Sequence, residues 1–252
     1  MRQLKVTLAY DGTNFSGWQA QKSVRTVEGE VRKALSFMHK HEVSVNAAGR
    51  TDAGVHANGQ VISYQSDLDG IELDRYPRAL NSFLPYDVRA KLVEAAEDGF
   101  HARHDARERS YKYYLFASEL NIPHYRAYSH HVVRRLDIAK LNALAAVMVG
   151  EHDFTSFSAP SKDTPNHVRR VFSSSFHVEG PFIVYSISAQ SFLWRMVRSI
   201  VGSLLKYEQD GLDAAEVKKH LVAANRELAG PTAPAWGLFL HQVKYKNEIR
   251  IH

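Results

Sequence analysis

The chain of 252 residues contains no cysteine. Disulfides, thiolate nucleophiles and cysteine-ligated zinc are therefore excluded, and the absence fits a reducing compartment. Long apolar runs are missing as well. Lys5 and Asp11 interrupt the N-terminal segment, so it does not resemble a signal peptide, and no later run approaches the ~18 apolar residues of a membrane span. With 44% hydrophobic residues, we expect a globular, cytoplasmic protein with no membrane contact.

Several functional motifs are also absent. No GxxxxGK[ST] or GxGxxG sequence is present, which argues against a nucleoside triphosphate or a dinucleotide cofactor, and there is no GxSxG nucleophile elbow. Although histidine is abundant, with 14 residues, no HExxH motif occurs, and His101, His104 and Asp105 are the nearest approach to a chelating cluster. We therefore expect neither a cofactor nor a metal.

The net charge of +5 favours a polyanionic partner. Basic and acidic residues are equal in number over residues 1–104, so the whole excess lies in residues 105–252. Around the point where this part begins, basic residues interleave with tyrosines, a mixture that suits phosphate contacts and base stacking. The residues concerned are Arg103, Arg107, Arg109, Lys112, Tyr111, Tyr113 and Tyr114. A solvated edge strand would account for the same pattern.

Hydrophobic periodicity predicts the elements of the first part. In chain order they are a strand at 4–10, a helix capped by Thr26, strands at 43–45 and 59–64, a helix at 73–83 and a strand at 88–95. This βαββαβ order is typical of a ferredoxin-like unit with a largely antiparallel sheet.

The second part has a similar succession of predicted strands and helices, but its sequence does not visibly repeat that of the first part. Its predicted elements are a strand at 110–116, a helix from 138 that ends at Gly150, strands at 168–178 and 182–188, a helix over 196–204, a helix capped by Asp213 and Glu216, and a strand at 238–245. No long linker interrupts the chain. We therefore predict an α+β protein of two tightly associated ferredoxin-like or RRM-like halves, residues 1–104 and residues 105–252.

One carboxylate stands out because of its surroundings. Asp52 lies in the loop 49–57, where Gly49 and Gly54 permit special backbone angles and allow a carboxylate to project into a cleft. An Asp beside Gly is more often a turn or cap residue, so this context alone does not define a reaction. Arg198 lies on the apolar helix over 196–204; it either snorkels to water or pairs with a carboxylate, and Asp52 is a suitable partner that pairing would keep ionised.

The residues resemble one family over nearly the whole chain, the tRNA pseudouridine synthases of the TruA type. The most specific match is the loop GRTDAGVHA at 49–57. Colinear matches are Tyr10-Asp11-Gly12-Thr13, Phe15, Gly17-Trp18-Gln19, Leu80-Asn81, Leu84-Pro85, Phe100-His101-Ala102-Arg103, Arg109-Ser110-Tyr111, Asp153-Phe154-Thr155-Ser156-Phe157, Phe192-Leu193, Met196-Val197-Arg198, Gly202, Ala233-Pro234-Ala235 and Gly237-Leu238.

The resemblance implies the pseudouridine synthase fold and the isomerisation of uridine at positions 38, 39 and/or 40 of the tRNA anticodon arm. It also implies a homodimer that needs no cofactor. Asp52 would be the nucleophile, Arg50 would aid base extrusion, Tyr111 would stack on the target uracil, and Arg198 would pair with Asp52. Further substrate-binding residues on this basis are Thr51, His56, Arg103, Arg109, Lys112, Arg169 and Leu238.

Two rival interpretations remain. A non-catalytic RNA-binding protein would use the basic, tyrosine-rich strand and the sheet, but it would have no need to bracket Arg50 and Asp52 with glycines. A metal-dependent hydrolase would require a His/Asp cluster, which the sequence spacing does not reveal.

Overall fold

A computed structural model describes residues 1–160 and 165–246. The chain divides into two compact units. Unit 1 contains Met1–Arg107 and the C-terminal segment that begins at Phe239, and unit 2 is Glu108–Leu238. Both contain helices and strands, which confirms the α+β class. Within the described ranges, no helix has the length and apolar character needed to cross a membrane.

Unit 1 has the predicted βαββαβ order. Its elements are β1 (Arg2–Tyr10), α1 (Val27–His39), β2 (Asn46–Ala47), β3 (His56–Ser66), α2 (Tyr76–Asn81) and β4 (Val88–Ala95). They are joined by β10 (Leu238–Lys244), of which all but Leu238 belongs to unit 1. The central β1 pairs antiparallel with β3 on one side and with β4 on the other. The outer edge of β3 pairs with β2 near Ser63 and, in parallel orientation, with β10 at His56 and Ala57.

Alternating apolar residues give β1 one buried face. Leu4, Val6 and Leu8 are fully buried, as the period-2 pattern predicts. Thr26 caps α1 by accepting a hydrogen bond from the Gly29 N–H (3.3 Å). Buried residues on the inner face of α1 include Val31. The core of unit 1 therefore follows from local sequence signals.

Unit 2 contains the remaining elements. They are β5 (Glu108–Ala117), β6 (His130–Val132), α3 (Ile138–Ala146), β7 (Gly150–Asp153), β8 (Val168–Glu179), β9 (Phe182–Ala189), α4 (Met196–Asp210) and α5 (Ala214–Val222). The strand order is β6-β5-β9-β8-β7, antiparallel except for the β5–β6 pair. The predicted capping pair at α5 is confirmed, because Asp213 and Glu216 form a reciprocal capping box.

Three details differ from the sequence prediction. The second strand is Asn46–Ala47 rather than 43–45, although Val43 is buried. The α3 helix ends at Ala146, and Gly150, with φ +116°, begins β7 instead of ending the helix. The predicted division at residue 104 also differs from the observed units, because the segment from Phe239 belongs to unit 1. Parallel pairing of β10 with β3 places it there, and no local signal encodes such a distant pairing.

Candidate active site

The loop between β2 and β3 presents Asp52. The Asp52 side chain is half-buried, whereas Arg50 is exposed and has no polar side-chain partner among residues 1–160 and 165–246. Gly54 adopts φ +76° in a tight turn in which the Val55 N–H donates to the Asp52 carbonyl (3.1 Å). The expected special backbone angle is therefore correct for Gly54. It is wrong for Gly49, which has no positive φ.

The connection between β1 and α1, residues 11–26, holds this loop in place. The Trp18 N–H donates to the Thr51 carbonyl (3.0 Å), and the Gly54 N–H donates to the Phe15 carbonyl (3.3 Å). From the end of β1, the Tyr10 hydroxyl hydrogen-bonds the Thr51 hydroxyl (2.8 Å). The backbone on both sides of Asp52 is thus tied to a second segment, which fixes the position of the carboxylate.

Two glycines allow this close approach. A Cβ on Gly12 would lie 2.1 Å from the Val55 carbonyl oxygen. A Cβ on Gly17, which adopts φ +91°, would lie 2.9 Å from the Thr51 carbonyl oxygen. Any larger residue at either position would displace the loop or the segment that supports it.

An ion pair anchors the supporting segment to the start of β4. Arg25 donates two hydrogen bonds to Asp87 (2.7 and 2.8 Å), and the Asp87 side chain is only 3% exposed. This bidentate bond raises the pKa of Arg25. The guanidinium also lies over the ring of Phe15, 4.1 Å from its centroid. The Asp11 N–H donates to the Asp87 carbonyl (3.0 Å), so both ends of the segment are held.

His56 is a buried side chain that contacts residues 11 and 12 of the supporting segment. It is 1% exposed, and its Nδ1 accepts a hydrogen bond from the Gly12 N–H (3.0 Å) and lies 3.2 Å from Oδ1 of Asp11. Its ring stacks on Phe239, with 4.5 Å between centroids. Thr51 is likewise buried. The structure therefore places the side chains of His56 and Thr51 inside the protein, next to the loop.

In unit 2, β5 carries the tyrosines predicted from the sequence. Tyr111 is 9% exposed and makes an edge-to-face contact with Phe192, with 5.0 Å between centroids. Tyr113 is fully buried and donates to the Pro234 carbonyl (2.9 Å), and this burial raises the pKa of its hydroxyl. Residues alternate along a strand, so Lys112 lies on the opposite face from Tyr111.

Arg198 lies in the first turn of α4 and is oriented by the segment 230–234. Its Nε donates to the Ala233 carbonyl (2.8 Å), and the Ala233 N–H donates to the Arg198 carbonyl (3.0 Å). Gly202 makes this packing feasible, because a Cβ there would lie 1.8 Å from the Pro231 carbonyl oxygen. The guanidinium is half-buried and also opposes the rise in the pKa of Tyr113.

The expected phosphate-binding residues differ in their environments. Arg103 is exposed, and Arg109 donates to the Gln190 carbonyl (2.7 Å). Lys112 forms an ion pair with Glu179 (2.7 Å), which lowers the pKa of that carboxyl. Arg169 has only carbonyl partners among the described residues; its Nε is buried without a partner, and burial lowers its pKa.

The structure thus places the sequence-predicted residues in two groups. Unit 1 holds Arg50, Thr51, Asp52, His56 and Arg103, and unit 2 holds Arg109, Tyr111, Lys112, Arg169, Arg198 and the 5%-exposed Leu238. The proposed pairing of Asp52 with Arg198 remains a prediction.

Sequence reasoning missed the ion pair between Arg25 and Asp87 and the ring contact between Tyr111 and Phe192. These pairings join residues far apart in the chain, and no sequence spacing signals them. The glycines at 12 and 17 were the one detectable sign of a close approach.

A family model described as tRNA pseudouridine synthase matches residues 7–105 and 144–246. The first segment contains the Asp52 loop and the second contains Arg198, whereas Tyr111 lies between them. The fold and this match define an α+β isomerase.

Relatives cover nearly the full length. Proteins called tRNA pseudouridine synthase A are 44% identical over 245 residues in Moorella thermoacetica (96% of this chain, 99% of that one) and 40% identical over 247 residues in Bacillus subtilis (97% and 100%). The Treponema denticola protein of that name is 40% identical over 255 residues (98% and 94%). The chain belongs to the tRNA pseudouridine synthase family.

Proposed function

We propose that this enzyme converts uridine to pseudouridine at positions 38, 39 and/or 40 of the tRNA anticodon arm, with Asp52 as nucleophile. Membership of the family makes uridine isomerisation in tRNA its activity, and the resemblance described above supplies the positions. The observation that carries the mechanism is the half-buried Asp52 carboxylate on a loop tied on both sides to residues 11–26.

The reaction defines what the site must do. The N1–C1′ glycosidic bond breaks, the uracil turns, and a C5–C1′ bond forms, while the C5 proton leaves and N1 gains a proton. No electrons are gained or lost overall. The target uridine must first leave its stack, because an enzyme cannot reach the reacting atoms of a stacked base.

Asp52 starts the reaction by one of three routes. Its carboxylate attacks C1′ to give an acylal, attacks the uracil ring to give a Michaelis adduct, or promotes elimination to a glycal. Each route requires an ionised carboxylate in a defined position. We propose that Arg198 pairs with Asp52 and keeps it ionised. The Ala233 carbonyl supports this role by orienting the Arg198 guanidinium.

Tyr111 is proposed to stack on the uracil while the base is detached. Its ring is held from the side by Phe192, so a face-on partner would meet a fixed aromatic surface. A closed, dry site is needed at this stage because a free base would otherwise be lost to water.

Basic residues at the surface are proposed to bind the tRNA backbone. Arg50, Arg103 and Arg109 are proposed to contact the RNA, with Arg50 aiding base extrusion. Arg169 has the strongest local support as a phosphate ligand, because a partly buried guanidinium with no carboxylate partner favours an anion. Lys112 has less support because Glu179 already neutralises it.

Three residues expected to bind substrate are buried, and we propose a supporting role for them instead. Thr51, His56 and Leu238 are at most 7% exposed, so we propose that they position neighbouring backbone rather than bind phosphates. A homodimer and a cytoplasmic location are proposed from the family resemblance alone.

The direct test of function uses tRNA transcripts with C5-tritiated uridine at a single position. With no added cofactor, the protein should release tritium from uridine at 38, 39 or 40 and not from a control uridine in the acceptor stem. Binding without release at any position would favour a non-catalytic RNA-binding protein. Release from the control position would contradict the proposed specificity.

The role of Arg198 has a separate test. Arg198→Met should reduce single-turnover tritium release far more than it weakens tRNA affinity, because the side chain acts on Asp52 rather than on the RNA backbone. Arg198→Lys retains the charge and should restore part of the rate. A large loss of tRNA affinity with normal turnover would instead indicate that Arg198 binds the tRNA phosphate backbone.

A further inference from the structure

Unit 1 contains a second cluster of titratable side chains, formed by His39, His41 and Asp67. His39 lies in the last turn of α1, His41 follows that helix, and Asp67 follows the end of β3. Nδ1 of His39 is 2.5 Å from Oδ1 of Asp67, and Nε2 of His41 is 3.0 Å from Oδ2. The sequence spacing does not reveal this cluster, because Asp67 is distant in the chain from the two histidines.

The tautomer of His41 makes this arrangement incomplete. Its Nδ1 lies 3.0 Å from the Glu42 carbonyl oxygen. A carbonyl only accepts, so this nitrogen must carry the proton. In the neutral imidazole, Nε2 then has a lone pair directed at the Asp67 carboxylate. Two lone-pair donors facing each other at this distance require a cation between them, which is either an additional proton or a metal ion.

The second histidine has the environment of an oriented ligand. The His39 side chain is fully buried, and its far nitrogen, Nε2, lies 3.2 Å from the Tyr76 hydroxyl. That hydroxyl also bonds the hydroxyls of Tyr64 (2.9 Å) and Ser66 (3.0 Å). Such partners on the far nitrogen are what hold a metal-binding imidazole in orientation.

We propose that His39, His41 and Asp67 bind a divalent transition-metal ion of the Zn²⁺ class. Two imidazoles and one carboxylate are a recurrent donor set for such ions, with a fourth position left for water. The three donor atoms lie within 4.8 Å of one another, and donors at ~2.0–2.2 Å from a tetrahedral ion are separated by roughly 3.3 Å. The exposed side chains of His41 and Asp67 leave a route for the ion to enter.

The position of the cluster indicates a structural role. The ion would join the end of α1 to the end of β3. Both elements begin beside the segment that supports the Asp52 loop. The Val27 N–H donates to the Gly17 carbonyl, and His56 accepts a hydrogen bond from the Gly12 N–H. The 13 residues of α1 separate its two ends by ~20 Å. Metal binding should therefore stabilise unit 1 without entering the chemistry.

The test uses the full chain after treatment with a chelator. Co²⁺ is added while visible absorption is recorded, and Zn²⁺ is then used to displace it. We expect one equivalent to bind with the intense d–d bands of a four-coordinate ion. Thermal unfolding with and without Zn²⁺ gives a second measurement. His41→Gln and Asp67→Asn are the test variants because both side chains are exposed, and His104→Gln is the matched control on the same unit.

The proposal is supported if each test variant weakens metal binding at least about 100-fold while His104→Gln does not. Tyr76→Phe should cost about 10-fold, as expected for a partner behind a ligand. Tritium release should be the same with and without the ion. Failure of the wild type to bind Co²⁺ with these bands would overturn the proposal and leave a proton as the bridging cation. Binding that survives in both test variants would overturn it equally.

Discussion

Gly17 offers the sharpest test of how the Asp52 loop is positioned. It adopts φ +91°, and a Cβ at this position would lie 2.9 Å from the Thr51 carbonyl oxygen and 3.2 Å from the Ala53 nitrogen. Both contacts are to backbone flanking Asp52. Gly17→Ala must therefore shift the loop or residues 16–18, since neither contact can be relieved by rotating a side chain.

The expected magnitude has two parts. An alanine at this φ costs about 1–3 kcal/mol of stability. Relieving the contact requires a displacement of about 0.5 Å, because carbon and oxygen normally approach no closer than about 3.4 Å. A displacement of 1 Å costs a catalytic group about 100-fold in rate, so we expect turnover to fall about 10-fold or more. The affinity for tRNA should change less than about 3-fold, because Gly17 makes no proposed RNA contact.

Gly99→Ala is the matched control. Gly99 lies in the same unit with a similar φ of +83°, but a Cβ there would have no neighbour within 4 Å. It should lose comparable stability by urea denaturation and keep its rate of tritium release. If Gly17→Ala retains the wild-type rate, or if both variants lose rate equally, residues 11–26 do not position Asp52.

Three further predictions concern the supports of the site. Phe192→Leu should lower single-turnover release about 2- to 12-fold, because an edge-to-face contact contributes about 0.5–1.5 kcal/mol; an equal loss in Phe182→Leu, which alters the other face of β5, would contradict this. Arg169→Met should reduce the salt slope of tRNA binding by ~0.7–0.9. Lys112→Met should leave that slope nearly unchanged. A larger change in slope for Lys112→Met than for Arg169→Met would show that Lys112, and not Arg169, contacts phosphate. Asp87→Asn should lower the free energy of unfolding by about 1–3 kcal/mol, less than for a fully buried pair because Arg25 is 35% exposed; a urea midpoint equal to wild type would disprove the anchoring role.

Local signals predicted much of the fold. The alternation in β1, the Thr26 cap of α1 and the capping box at Asp213 each depend on residues within a few positions of one another, and each is present. The placement of β10 depends on a parallel pairing between residues almost two hundred positions apart. Periodicity within a segment contains no information on which distant strand it will join.

The same distinction applies to the candidate site. Glycines around Asp52 indicated a presented carboxylate, and the interleaved basic and tyrosine residues indicated the strand that carries Tyr111. The burial of Tyr111 was not predicted. The burial of His56 and the ion pair between Lys112 and Glu179 depend on tertiary neighbours, so residue type alone could not predict them. The His39 cluster was missed for the same reason.

The central claim is that the Asp52 carboxylate performs the chemistry and does not serve to bind tRNA. Single-turnover tritium release and tRNA affinity should be measured together for Asp52→Ala, with the wild type and Gly99→Ala as references. We predict complete loss of release with affinity within about 3-fold of the wild type, because removing a nucleophile affects only the reacting state. Release by Asp52→Ala at the wild-type rate would contradict the account.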